Sequence, residues 1–453
     1  AAAAAAAQPA SNSNYPTGLR PEENVQDDLR EGDAQFEASR NAGFTTVLTV
    51  GRSGIFNGQS AVINLAGETV SAMIVRAPFA MHISLVQRGG GGGGGYPGSL
   101  LGTFSALRQI FSDARRLQEI QRLYASDPKG MKRPEADRSL EALFPVIDRR
   151  MPVVINANSE LEINRALDFF KEHNLVGIIA GGLEADKATA RLKTQNVPVL
   201  LSLNLPKRTT ASSPDADPES LEVLRFRVAA QKTAGALSAA GVKFAFQSGG
   251  ATAADFFTNA GKTVENGLSR DVAIRAMTLG AAEVLGVDKR LGSIETGKIA
   301  NLAVVKGDLF GRDRFAAHVF VDGKHFEQKE PVRPAGGGGG RGPGGAGGAT
   351  PGGTASLSGV YAITIDVPGQ PLPSTLNFTH QGTSLTGSMV SVLGTSTISN
   401  GRVSGTGFNF TTAVVFGGAQ MDITIQGTVS GNQINGSVDS PQGNVPFSGT
   451  KTP

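Results

Sequence analysis

Between Asp28 and about Pro331, short β-branched runs alternate with stretches whose apolar residues recur every three or four positions, the pattern of repeated βα units on a parallel sheet. The spacing predicts strands at Thr45–Val50, Ala80–Val86, Val153–Ala157, Val176–Ala180, Pro198–Leu203 and Lys243–Gln247. Helices fall between them. Glu160–His173 places Leu161, Ile163, Ala166, Leu167 and Phe170 on one face, with Asn158 or Ser159 as the N-cap. Leu100–Tyr124 reads as a longer amphipathic helix.

From Ser356 to Pro453 the period changes from helical to two. Charges almost vanish, and Thr, Val, Ile, Ser and Gly alternate between turns containing Gly or Asn. Strands are predicted at Tyr361–Ile365, Ser374–Thr379, Ser384–Met389, Gly407–Thr412, Asp422–Thr428 and Gln433–Val438. The segments beginning at Leu385 and Ile434 superpose, pairing Gly387 with Gly436 and Gly394 with Gly443, which implies two similar hairpin units. The expectation is a meander closing into a small barrel or sandwich of about eight strands with a filled core, the alternative being an interior that holds an apolar ligand.

Glycine marks the boundaries. The run Gly89–Gly95 reads as a flexible surface loop, because it lacks the following helix start and Lys or Ser/Thr spacing of a phosphate cradle. Gly336–Gly353, interrupted by Pro343 and Pro351, reads as a tether. The domains are therefore set at 1–27 (a flexible tail), 28–331 (α/β), 332–355 (linker) and 356–453 (all-β).

Composition narrows the chemistry. With no cysteine the chain is neither a thiol enzyme nor a cysteine-ligated zinc protein. A net charge of +3, spread along the chain, gives no support to nucleic-acid binding. No apolar run approaches the roughly 18 residues of a spanning helix. The start Ala1–Ala7 reads as a chain left after signal-peptide removal at a small-residue site, the alternative being a stand-in for unassigned residues; the first reading predicts a periplasmic or otherwise extracytoplasmic location. Only five histidines occur (His82, His173, His318, His325 and His380), none within four residues of another, so no local two-histidine metal motif is present.

Gly43–Val47, in "GFTTV", and Gly58–Val62, in "GQSAV", resemble the metal-dependent amidohydrolase superfamily in its imidazolonepropionase-like branch, as does the run from Ala273 to Lys324 with its "GSIETGK" and "VDGK" segments. The resemblance spans about Asp28 to Lys329 and implies an incomplete TIM-like α/β barrel with part of a small β-sandwich appended. It also implies metal-binding histidines at the ends of strands and an aspartate serving as ligand and base. Here Asn156 and Asn158 stand where the family carries Ile-His-Ala-His, Gly181 and Gly182 where the next histidine falls, and Ser248 and Gly249 where the aspartate falls. No histidine precedes His82, so the family's opening two-histidine strand is missing, and the barrel is expected to have an open edge covered by the N-terminal segment, the β-module or a partner.

The vacated metal-site positions are thus Asn156, Asn158, Gly181 and Gly249, with no metal and no cofactor expected. His82 reads as a hydrogen-bonded structural histidine or a residual ligand; His318 and His325 in the β-sandwich remnant, and His173 near a helix C-terminus where a cation is favourable, all read as structural. These losses predict a pseudoenzyme, not an enzyme: a structural or accessory subunit docked to a larger assembly, one candidate host being a membrane-embedded respiratory or photosynthetic complex. The alternatives are the degenerate partner of an active amidohydrolase, or a small-ligand-binding protein using Asn156, Asn158, Asn204 and Ser248, whose side chains both donate and accept.

Overall fold

The computed structural model describes residues 19–32, 34–51, 54–85, 99–208, 219–311, 313–328, 357–365, 372–382, 384–391, 394–404, 407–416, 419–430, 432–440 and 443–452. The glycine run 89–95, the tether and residues 1–18 lie outside them. Two compact units divide the described chain, one holding residues 19–328 and the other residues 357–452.

Among the described residues, nine strands precede residue 250: β1 (Thr46–Thr49), β2 (Phe56–Gln59), β3 (Ala61–Asn64), β4 (Ile74–Arg76), β5 (Met81–Ser84), β6 (Val153–Ala157), β7 (Gly177–Gly181), β8 (Val199–Ser202) and β9 (Phe244–Gln247). A six-stranded sheet runs β2-β5-β6-β7-β8-β9; it is parallel from β5 to β9, with β2 antiparallel at the edge. The sequences of β6, β7 and β8 are nearly continuous apolar runs because a parallel sheet is covered on both faces. Val153, Ile155, Ile179, Val199 and Leu201 pack with Leu107, Phe111 and Phe169 of the flanking helices. The alternate positions Val154, Ile178, Leu200 and Ala245 pack with Val62, Phe79 and Leu291. The sheet is an incomplete barrel: among the described residues β2 and β9 are not paired with each other.

The β2 edge is covered by this chain's own N-terminal segment. Gln59 N donates to Glu23 O at 2.7 Å, and Asn24 forms a parallel bridge with Gln59. Leu19 and Val25 are buried there. This corrects the tail boundary: residues 19–27 belong to the fold, since an edge of unpaired N–H and C=O groups recruits whatever extended segment lies within reach.

Helix Glu160–His173 starts with a full capping box between Ser159 and Glu162. Ile163, Ala166, Leu167 and Phe170 are buried as expected, but Leu161 is 58 % exposed, because at the second helical position it faces away from the sheet. His173 is buried between Phe111 and Phe169, as a structural histidine, and burial lowers its pKa against the charge that its place near the helix C-terminus would favour. The helix predicted to end at Tyr124 runs Leu100–Ser126.

Two small sheets flank this core. One has the order β1-β3-β4; the other is built from β10 (Leu302–Lys306), β11 (Phe315–Val321) and β12 (Lys324–Glu327). Asn301 Nδ2 links them, donating to Thr46 Oγ1 and Asn64 Oδ1 at 2.7 Å.

The second unit comprises β13 (Gly359–Ile365), β14 (Leu372–Gln381), β15 (Ser384–Ser391), β16 (Gly394–Thr397), β17 (Ser399–Ser404), β18 (Gly407–Phe416), β19 (Ala419–Ser430), β20 (Gln433–Ser440) and β21 (Gly443–Lys451). The order β14-β13-β21-β20-β19-β18-β17-β15, closed by pairing of β14 with β15, makes an eight-stranded antiparallel up-and-down barrel; β16 adds a hairpin to β15. Tyr361, Phe378, Phe408, Phe410, Ile425 and Phe447 fill its interior, as the alternating pattern requires.

Candidate functional site at the C-terminal ends of the parallel strands

Active sites on parallel α/β sheets gather where strands end and loops begin. In this unit that edge is formed by the residues closing β5 to β9.

Asn156, next to last in β6, is exposed, whereas Val154 two positions earlier on the same face is buried. Register places Ser84, Asn156 and Ala180 side by side, and Ser202 beside Gln247. These register neighbours are therefore largely amide- and hydroxyl-bearing. Asn158 begins the loop after β6, and its carbonyl accepts from Glu184 N at 2.9 Å. Asn204 Nδ2 donates to Gly249 O at 3.1 Å, and Asn204 N donates to Ser202 Oγ at 3.1 Å, so the loops after β8 and β9 are tied together. Ser248 is exposed, its carbonyl accepting from Ala251 N. The structure thus joins Asn204 to Gly249 and sets Asn158 against Gly181.

Two positions are shaped for glycine. Gly181 has φ +95°, and a Cβ there would stand 2.4 Å from Asn158 Oδ1. Gly249 has φ +59°, and its Cβ would stand 2.0 Å from Ser202 Oγ. Any side chain at either place would meet both backbone strain and a neighbouring polar atom.

Sequence reasoning missed Glu162 and Glu184. Both carboxylates serve the N-terminus of helix Glu160–His173: Glu162 accepts from Asn158 N and Ser159 N, and Glu184 accepts from Glu160 N at 2.8 Å. Burial pushes the Glu184 carboxyl up, but hydrogen bonds from Lys187 and Glu160 N outweigh it and leave the pKa lowered. The Ser-x-x-Glu spacing signalled Glu162; nothing local signalled Glu184, which arrives from a different βα unit.

His82 lies within β5, beside Val154, and is fully buried rather than at the mouth. Its Nε2 has no hydrogen-bond partner, contrary to the expectation of a hydrogen-bonded histidine, and burial lowers its pKa to about 3. It stays neutral because the apolar contacts of that face offer nothing to stabilise an imidazolium.

Residues 147–339 match the amidohydrolase family. An amidohydrolase from Thermotoga maritima MSB8 is similar in fold at 23 % identity and TM-score 0.59, covering 69 % of this chain and 79 % of that one. A Xaa-Pro dipeptidase crystallised with methionine in its active site aligns at 21 % identity over 44 % of this chain and 49 % of that one, with TM-score 0.32. Ochratoxinase from A. niger aligns at 16 % identity over 39 % and 42 %, with TM-score 0.31. No curated protein matches the chain.

The family match corrects one expectation from sequence. A pseudoenzyme was predicted from the missing ligands, but a match to a family of hydrolases, with an amidohydrolase sharing the fold, favours an enzyme. Missing side chains at a family's usual positions do not by themselves fix what a fold does. The family's metal finds no fitting donor set at the strand ends: Asn156 and Asn158 offer neutral amides, and Gly181 and Gly249 are closed to side chains by the geometry above. Among the described residues no group of three or more His, Asp or Glu is placed to hold a metal ion. No chemical step is therefore routed through a metal.

Proposed function

We propose that this amidohydrolase-type chain works as an accessory subunit of a larger assembly of protein chains, on the extracytoplasmic side. The observation that carries this reading is helix Leu221–Ala230. Leu221, Val223, Leu224 and Val228 are between 40 % and 59 % exposed, and Ala230 is the helix's single buried residue. Leu221, Leu224 and Val228 fall at i, i+3 and i+7, so they share one face, and a contiguous apolar face on a folded unit is a feature of surfaces that meet a partner. The absence of cysteine is compatible with an oxidising compartment. No helix among the described residues is long and apolar enough to cross a membrane, so membrane association in this reading comes through the partner. Purification from native cells and membranes, followed by mass spectrometry, tests it. Stoichiometric co-elution with other chains from the exported fraction supports the reading, and elution as a lone cytoplasmic chain overturns it.

A second reading rests on the strand-end rim. Asn156, Asn204 and Ser248 are exposed there without a neighbouring unpaired charge, which suits a neutral ligand bearing amide or hydroxyl groups, in keeping with an amide-hydrolysing family. A panel of neutral acyl and cyclic amides, assayed for both hydrolysis and thermal stabilisation, tests it. Asn156→Asp is expected to weaken any response; an equal response in that variant removes Asn156 from the site.

A further inference from the structure

The outward face of the β10-β11-β12 sheet carries a pair of histidines that neither the family match nor the proposed function uses. His318 in β11 and His325 in β12 sit on adjacent antiparallel strands, with Phe320 opposite His325 and the exposed Glu327 opposite His318. The inward neighbours Ala317, Val319 and Val321 are buried, so alternation turns both histidines outward. His318 Nδ1 and His325 Nε2 face each other at 3.1 Å. The His325 ring is stacked on Phe320, with centroids 4.7 Å apart and planes at 17°, which fixes the direction of its nitrogen.

We propose that His318 and His325 form a surface two-histidine chelate for a divalent transition metal of the copper, nickel or zinc class. The argument is geometric. Two metal–imidazole bonds of about 2.05 Å that span the observed gap subtend roughly 98°, between the right angle of square-planar or octahedral coordination and the wider tetrahedral angle. The nitrogens already stand at a chelating separation, and the strand pairing and the aromatic stack have removed the freedom that would otherwise be lost on binding. Metal entry replaces one imidazole-to-imidazole hydrogen bond by two coordinate bonds. With two protein ligands, the remaining positions belong to water.

The other histidines do not compete. His82 and His173 are buried, and His380 has both ring nitrogens engaged, Nδ1 by Leu357 N at 3.3 Å and Nε2 at 2.8 Å from Gly382 O.

The test titrates copper(II) sulfate into the untagged full-length chain, read by calorimetry and by electron paramagnetic resonance, with zinc chloride as competitor. The expected result is one copper per chain with two-nitrogen coupling, an affinity lowered at least tenfold in both His318→Ala and His325→Ala, and an unchanged affinity in His380→Ala. His325 is exposed, so its variant keeps the fold, as circular dichroism will verify. Equal copper affinity in wild type and His325→Ala, or loss of the site in His380→Ala, overturns the proposal.

Discussion

Gly181→Ala tests whether the strand-end rim is built around its glycines. The new Cβ would lie 2.4 Å from Asn158 Oδ1 and 3.2 Å from Ala157 O, at φ +95°. Backbone strain in such a region costs on the order of 1–3 kcal/mol. Displacing the Asn158 side chain adds about 1 kcal/mol for repacking a half-buried amide. The single substitution is therefore expected to cost about 2–4 kcal/mol. Pairing it with Asn158→Ala removes the obstructing amide and leaves the backbone strain, so a double-mutant cycle should return roughly 1 kcal/mol of favourable coupling. Urea unfolding followed at 222 nm isolates the first unit, because the second contains no helix among its described residues. A cost below about 0.5 kcal/mol, or a coupling of zero, would show that Asn158 and Gly181 are not mutually fitted, and the closure of this position to side chains would then be wrong.

His82 should give the first unit an acid-sensitive stability. Its folded pKa, lowered to about 3, lies below the ordinary 6.5, so between those values the unfolded chain binds the extra proton. Stability from neutral His82 is full above pH 6.5 and falls with pH by up to about 1.4 kcal/mol per unit; urea midpoints measured from pH 7.5 to 4 should flatten in His82→Leu, and an unchanged slope would refute the assignment. Phe169 packs edge-on to Phe111 and against His173, and Phe169→Ala should cost about 3–5 kcal/mol by thermal melts at 222 nm, a loss under 1 being inconsistent with this core. In the second unit, a Cβ at Gly436 would stand 2.2 Å from Gln426 O, so Gly436→Val should open the barrel to limited proteolysis while the 222 nm transition stays in place; protease resistance equal to wild type would count against the observed register.

Most of the fold was legible because its signals are periodic and local. The strands of the parallel sheet came out within one or two residues, since each is an apolar run long enough to be buried on two faces. The start of the helix at Glu160 was legible from Asn158 or Ser159 as N-cap, and the structure selects Ser159. In the barrel, β16 and β21 were given only as the second arms of the two hairpin units, which the pairings of β15 with β16 and β20 with β21 bear out, and β17 went unseen. Their Gly, Ser, Thr and Asn content resembles turns, and it is closure of the sheet that makes them strands. The surroundings of His173 were not legible: its place near a helix end favoured charge, while the aromatic rings that bury it come from Phe169 on its own helix and Phe111 on a distant one.

The strand-end rim shows where reading along the chain stops. Sequence identified Asn156, Asn158, Gly181 and Gly249 as occupants of a metalloenzyme's positions, and from identity alone a pseudoenzyme followed. The structure adds that Gly181 is filled by Asn158, and Gly249 by Ser202 and Asn204, across strand boundaries that no spacing reveals. A rim whose small residues are interlocked with neighbouring amides and hydroxyls is organised, with a defined surface of donors and acceptors. Such a surface suits hydrogen bonding to neutral polar groups. Under the second reading proposed above, a ligand at the strand ends is expected to be neutral and to carry amide or hydroxyl groups.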